Sequence, residues 1–494
     1  MQACPSFIGG EWLQPDGLPG APVFNPSRGE IIAEVPMGGA AEAKAAIAAA
    51  AAAFPAWAET PPVERARILF RLHALLEKEF EEIVHGVTLE HGKTLVEARG
   101  EVRRGIEMVE FAAGIPSLLM GETIENIARG IDCEALRQPL GVCVGITPFN
   151  FPFMVPLWMV PVALVCGNTF VLKPSEKVPL SAVRLVRLFA EAGLPPGVLN
   201  LVHGGREAVD ELLVHPSVKA VSFVGSTPVA RSIYETATRH GKKVQANGGA
   251  KNHVIVMPDA EMNLSVKGLV EAAFGCAGER CMAGSAAVAV GGAAEQLVPS
   301  LVAAAKGIRV GPTDGETQPA MGPLITKEHR ERVAALIEQG QAQGARLVAD
   351  GREIEVPEAP HGFYLGATVL DAVTAEMSVA SEEIFGPVLN VFHADNLDQA
   401  LELIAQSPYG NGASIFTSSG RTAREFKHRV KAGMVGINVG VPASMAWFPF
   451  SGWDASFFGD LHMQGPEGVE FFTRRKTVTS RWFSPGEGSV WAEK

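Results

Sequence analysis

Cys281 stands in the segment Phe274-Gly-Cys-Ala-Gly-Glu-Arg-Cys281-Met-Ala, after an apolar, helix-like run and between small residues. A thiolate with access and an oxyanion-binding group beside it is a covalent nucleophile. Taken alone, a cysteine is more often buried for packing. Three further segments place polar side chains just past apolar runs. Phe149-Asn150-Phe151-Pro152 offers an amide that could donate to a developing oxyanion, or simply turns the chain, the commoner use of Asn beside Pro. Lys173-Pro-Ser-Glu176 sets a lysine and a carboxylate where two ribose hydroxyls could be held, or forms a capped, solvated turn. Phe223-Val-Gly-Ser226-Thr-Pro228 leads into a helix whose free N–H groups suit a pyrophosphate. No GxGxxG accompanies it, so it also reads as a plain strand-to-helix turn. Glu382-Glu383-Ile-Phe385-Gly-Pro adds a polar pair followed by an aromatic, and alone reads as the start of a strand.

Positioning such groups takes a framework, and the chain is long enough for several domains. It has 494 residues, 47% of them hydrophobic and 19% charged, which excludes a disordered chain. The net charge of −12, with no basic run, argues against nucleic acid and anionic membrane surfaces as partners. Six cysteines without paired spacing make neither a disulfide framework nor a zinc site, so no metal is expected. The first residues lack the layout of a signal or transit peptide, and a cytoplasmic location is expected. From Gln138 to Leu172 no residue is charged, but five prolines and Gly167-Asn168 break the stretch into strand, loop, helix and strand, not a membrane span.

Residues 40 to 53 are nearly all alanine and predict a helix. Apolar spacing predicts helices over Glu64–Val84 and Glu101–Ala113. From residue 140 the rhythm becomes strand and helix in alternation. Strands are predicted at Val142–Ile146, Thr169–Leu172, Val198–Val202, Ala220–Val224 and Val254–Met257, with helices between them. That alternation predicts an α/β fold with a doubly wound parallel sheet, which binds ligands at the carboxyl ends of its strands. The pattern restarts after Gly284 as a second α/β domain. Thr123–Gln138 and Glu470–Ser480 read as strands outside both sheets, of a kind that often pairs with another subunit.

Together, these segments resemble the aldehyde dehydrogenase superfamily, whose reactive-cysteine, PFN, KPSE, FxGS and EEIFGP patterns occur here in the family's order. The resemblance implies an NAD-binding domain (1–122 with 140–247), a catalytic domain (248–445) and a small β bridging arm (123–139 with 446–494) that joins subunits into a dimer or tetramer. It implies that Cys281 is the nucleophile and that Asn150, with the Cys281 N–H, forms the oxyanion hole. Lys173 and Glu176 would hold the adenosine ribose, Ser226 the pyrophosphate and Glu383 the nicotinamide ribose. Phe385 would pack near the nicotinamide, and Thr147, Phe149, Lys177 and Gly248 would line the cofactor groove.

One departure is informative. Where hydrolytic members carry a glutamate base, Asn247 stands in Asn247-Gly-Gly-Ala-Lys251, and an amide takes no proton at neutral pH. The surrounding strings, with GERCM at 278–282 and GINVGVPA at 436–443, are similar to the CoA-acylating (methyl)malonate-semialdehyde dehydrogenases. That subfamily implies NAD as cofactor and CoA as co-substrate. It also implies a semialdehyde carboxylate bound by Arg104 and Arg280, and release of propionyl-CoA or acetyl-CoA after decarboxylation. Arg104 also reads as a solvated helix face and Arg280 as a structural ion pair. The alternative is a hydrolytic semialdehyde dehydrogenase that yields a free acid.

Overall fold

Val142–Ile146, Thr169–Lys173 and Leu199–Leu201 are buried along their whole length, and their apolar, β-branched runs suit a strand covered on both faces. They form the centre of an eight-stranded sheet with Val218–Val224 and Lys243–Asn247, all parallel. Antiparallel strands close both edges: Phe457–Gly459 beside Lys243–Asn247, and Ser6–Ile8 with Glu11–Leu13 beside Leu199–Leu201. The computed structural model describes residues 2–14 and 17–483. Residues 1, 15–16 and 484–494, which fall within the expected domains, lie outside the described residues.

The chain first builds outward from Val142–Ile146 through Thr169–Lys173 to Leu199–Leu201. It then returns to add Val218–Val224 on the other side. That reversal is a topological switch point, where loops leaving adjacent strands diverge and open a crevice. The crevice lies past Ile146 and Val224, so Thr147–Asn150 and Gly225–Ser226 form its walls. Pro228 in the first turn of Thr227–Arg239, and Pro179 opening Pro179–Glu191, start the helices that follow two of these strands.

A second sheet of seven strands runs in the order Arg346–Ala349, Thr368–Asp371, Val388–Ala394, Ala286–Val290, His253–Val256, Gly412–Phe416, Met434–Ile437. Only Arg346–Ala349 is antiparallel. Each large sheet has its own buried core. The two strand-like pieces expected outside them meet in a third sheet. There Ile131–Pro139 pairs with Glu122–Ala128 on one side and with Thr473–Arg481 on the other, all antiparallel. Glu122–Ala128 is exposed throughout. The fold is the α/β class expected, and among the described residues no helix is long and apolar enough to cross a membrane.

Two helix boundaries differ from the sequence reading. The helix expected over Glu64–Val84 is two, Pro62–Lys78 and Phe80–His91. Glu79 leaves helical geometry (φ −100°, ψ 14°), and its carboxylate joins that of Glu82 on the Arg184 guanidinium. The helix expected from Glu101 starts earlier and spans Leu95–Ala113, because Thr94 and Glu97 cap it reciprocally.

Asn168 ties the first sheet to the third. Its buried Oδ1 accepts the N–H groups of Leu140 (2.7 Å) and Gly141 (3.1 Å), while Nδ2 donates to the carbonyls of Ala163 (3.1 Å) and Phe472 (2.8 Å). All four hydrogen-bonding valences of the amide are used, away from water. Asn168→Ala is therefore expected to destabilise the fold by roughly 2–4 kcal/mol, through buried groups left unpaired. A thermal melt in which this variant keeps the parent Tm would refute that accounting.

Candidate active site

The turn that delivers Cys281 is left-handed over three residues: Cys276 (φ 52°), Ala277 (51°) and Gly278 (73°). Such conformations persist only where surrounding contacts hold them. Here the Cys276 N–H donates to Glu97, and a Cβ at position 278 would fall 2.1 Å from the Gly386 carbonyl oxygen. Past the turn, the Cys281 carbonyl accepts from two side-chain amides, Asn252 Nδ2 at 2.8 Å and Asn411 Nδ2 at 3.0 Å. The backbone of Cys281 is thus fixed from both sides.

Two cavities meet at Cys281. One is a groove of about 660 Å³ along the switch-point crevice. It is lined by Thr147, Phe149, Asn150, Lys173, Glu176, Lys177, Ser226, Gly248, Glu383 and Phe385, so the structure gathers every residue expected at the cofactor. The other, about 300 Å³, is lined by Arg104, Arg280, Phe151, Trp158 and Phe450, among others. Cys281 lines both, as a half-buried side chain. Volumes of this size suit small-molecule ligands.

In the groove, Lys173 Nζ lies 3.2 Å from Glu176 Oε2. Burial alone would push the Glu176 carboxyl up, but the Lys173 charge, a backbone N–H and Lys177 hold it below the usual range. Ser226 precedes helix Thr227–Arg239, whose first N–H groups face the crevice side of the sheet. Bare backbone at Gly248 and Gly249 is required. A Cβ at 248 would sit 2.7 Å from the Ala455 carbonyl oxygen, and one at 249 would sit 2.4 Å from Glu383 Oε2. Phe149 is fixed by Lys177, whose Nζ is 4.8 Å from the ring centre, and by the edge of Phe385. The Thr147 hydroxyl is buried and has no partner among the described residues.

Glu383 Oε1 accepts the Ala250 N–H (2.9 Å), and burial pushes its carboxyl up to about 7. Burial likewise lowers Lys251 to about 7. Phe385 has a left-handed backbone (φ 59°), and its carbonyl lies 2.7 Å from His329 Nε2. Arg332 donates to the carbonyls of Glu383 (3.2 Å) and Ile384 (3.0 Å). His329 and Arg332, on helix Lys327–Ala342, escaped the sequence reading, as did Asn252 and Asn411. They act on backbone brought near by folding, and their spacing carries no local signal.

The two arginines differ. Arg104 is half-buried, with Nη1 against Met445 Sδ and 3.5 Å from Glu107 Oε2. Arg280 donates through Nη2 to the carbonyls of Glu271 and Ala272, the open end of helix Met262–Phe274, where a cation is favoured. Its Nε is buried without a partner. Asn150 is buried, and its Nδ2 donates to the Glu279 carbonyl at 3.1 Å, leaving its other N–H without a partner among the described residues. Asn247 ends strand Lys243–Asn247. Its amide oxygen and nitrogen are both buried and lack partners among the described residues.

The sequence profile of the aldehyde dehydrogenase family matches residues 12–478. Malonate-semialdehyde dehydrogenase 2 of Geobacillus kaustophilus is 52% identical over 98% of this chain and 99% of its own. The crystal structure of methylmalonate-semialdehyde dehydrogenase from Oceanimonas doudoroffii superposes with a TM-score of 0.96 at 50% identity, covering 98% of this chain and 99% of that one. A Sinorhizobium meliloti chain solved in complex with NAD gives a TM-score of 0.95 at 45% identity, covering 97% and 98%.

Burial pushes the Cys281 thiol up to about 12; Glu383 adds to the rise, while backbone N–H groups and Arg280 oppose it. A raised value means that the free protein holds the protonated thiol across the neutral range. Alkylation of Cys281 by iodoacetamide in the ligand-free protein should therefore keep accelerating beyond about pH 9.5, since only the thiolate reacts. Mass-spectrometric rates that level off near the ordinary thiol value of about 8.5 would contradict this.

Proposed function

The chain belongs to the aldehyde dehydrogenase family, and from that premise we propose that it oxidises malonate semialdehyde and methylmalonate semialdehyde with NAD and transfers the acyl group to CoA. The observation that carries this reading is the position of Cys281, where the long groove meets a cavity bearing Arg104 and Arg280. The names of the relatives from Geobacillus and Oceanimonas point to the same substrates.

The groove fits a dinucleotide. Its length follows the switch point, its glycines leave bare backbone, and the unpartnered Thr147 hydroxyl awaits a polar group. Lys173 and Glu176 would hold the adenosine ribose, and Ser226 with the N-terminus of helix Thr227–Arg239 the pyrophosphate. Glu383 would hold the second ribose, with Phe385, Phe149, Lys177, Thr147 and Gly248 lining the remainder. NAD is the preferred form because the Glu176 carboxylate accepts from ribose hydroxyls and repels a 2′-phosphate. When bound, NAD supplies a hydride acceptor.

The Cys281 thiol gives its proton to solvent water, its sulfur adds to the aldehyde carbon, and the carbonyl oxygen becomes an oxyanion. The free N–H of Asn150 and the Cys281 backbone N–H stabilise it. Arg104 and Arg280 bind the distal carboxylate, a contact for which the planar guanidinium is suited. After oxidation Cys281 carries a thioester with a carboxylate β to its carbonyl. Carbon dioxide leaves as the electron pair of the broken C–C bond moves toward that carbonyl, and the α carbon then takes a proton from solvent. The CoA thiol then takes the acyl group and Cys281 regains its thiol. Asn247 is the reason for CoA: without a carboxylate there, water has no base to receive its proton. The exposed strand Glu122–Ala128, with Ile124 and Ile127 in the open, is the proposed self-association edge of a homo-oligomer. A reducing compartment, the cytoplasm, suits the six free thiols.

Two measurements follow. Without CoA, NADH should appear as a burst of about one equivalent per site and then stall, because a missing base costs ~10²–10⁴-fold. With CoA, turnover should be fast and yield propionyl-CoA or acetyl-CoA, and Asn247→Glu should raise CoA-independent turnover. Sustained release of free acid without CoA would sink the reading and favour the hydrolytic alternative. Second, Arg104→Leu and Arg280→Leu should each cost ~2–4 kcal/mol in kcat/KM for malonate semialdehyde and far less for propanal. Equal losses on both aldehydes would show that the arginines are structural.

A further inference from the structure

Lys93 is the largest side chain wholly withdrawn from solvent, and its charge meets that of Glu101, equally buried, at 2.5 Å. A buried pair of this kind loses much of its Coulomb gain to desolvation, so it is weak evidence of stability and invites another explanation. Its contacts supply one. Lys93 Nζ also donates to the Asn150 backbone carbonyl and lies 3.7 Å from the centre of the Phe151 ring. Glu101 Oε1 accepts the backbone N–H groups of Phe153 (2.9 Å) and Met154 (3.2 Å), while its Oε2 takes Lys93. The pair therefore grips the loop at Asn150 itself and just after it. On the side-chain face, the Glu279 carbonyl already holds one Asn150 N–H.

We propose that Lys93 is a positioning residue for the oxyanion-binding amide of Asn150, with Glu101 as the counter-charge that fixes it. The inference rests on the reading of Asn150 as that donor. Lys93 itself lines neither the groove nor the cavity that meets Cys281, whereas Glu101 lines that cavity, so the contact of Lys93 with the reacting region runs through the Asn150 loop and its counter-charge. Removing the ammonium frees the Asn150 carbonyl to rotate, and the N–H aimed at the oxyanion moves with it.

The test separates oxyanion chemistry from plain thiol reactivity at Cys281, in the whole protein. First-turnover release of p-nitrophenolate from p-nitrophenyl acetate requires an oxyanion at the acyl carbon. Alkylation by iodoacetamide, followed on the Cys281 peptide by mass spectrometry, is a direct displacement and requires none. Lys93→Met, and the charge-neutral Lys93→Met/Glu101→Gln in case the first folds poorly, should be acylated roughly 10- to 100-fold more slowly, yet alkylated within about twofold of the parent rate. Parent-like acylation in the double variant would overturn the proposal, leaving the pair a structural tie. A parallel fall in acylation and alkylation would also overturn it, because that reports a collapsed site. Asn150→Ala separates the two levels. If that variant is acylated as fast as the parent, the donor reading fails and the inference with it. If it is slow while the Lys93 variants are fast, the inference alone fails.

Discussion

A charge that cannot reach water must be answered where it stands, and the Lys93–Glu101 pair answers its own charges with the backbone of the loop that carries Asn150. Around it, one face of helix Leu95–Ala113 does most of the aligning. Glu97 caps the helix at Thr94 and receives the Cys276 N–H. Glu101, one turn on, receives the N–H groups of Phe153 and Met154. Arg104, nearly another turn on, opens into the cavity beside Cys281. Residues at i, i+4 and i+7 share a helix face. One helix, in neither sheet, thus fixes the distance between a loop of the first sheet and a turn that leads into the second.

The two sheets supply what the helix aligns. The switch point beside Val142–Ile146 opens the long groove, and glycines at 248 and 249 keep that groove clear of side chains. The second sheet holds Cys281 through Asn252 and Asn411, which flank strands His253–Val256 and Gly412–Phe416. Helix Lys327–Ala342 then presses the Glu383–Phe385 segment into place through Arg332 and His329. Each contact reaches backbone atoms, so the site's geometry depends less on the rotamers of its neighbours than on the course of the chain.

Much of this was legible before any coordinates. Val142–Ile146 matches to the residue because a strand buried on both faces must be apolar along its length. Lys243–Asn247 was missed because its interior positions include Gln245, whose amide meets Ser222 inside the sheet, so its polarity hides its burial. Thr368–Asp371 was missed for a similar reason: Asp371 is fully buried but held by Arg346 and His393. The early start of helix Leu95–Ala113 was written in Thr94-x-x-Glu97, a capping box that apolar periodicity overlooks. Lys93 was beyond reach in principle, since a lysine is expected at the surface and only folding supplies both of its partners.

The protonated state of Cys281 has a consequence for durability. Oxidants and stray electrophiles attack thiolates, and a sulfur kept as its thiol is slow to climb the ladder toward sulfenic and sulfinic acids. Cys281 is only half-buried and opens onto two cavities, so steric cover alone would leave it vulnerable. Its protection is electrostatic: the burial and the Glu383 carboxylate that raise the thiol to about 12 also keep its damageable form rare in the resting protein. A protein built this way keeps idle reactivity low at a sulfur that opens onto two cavities.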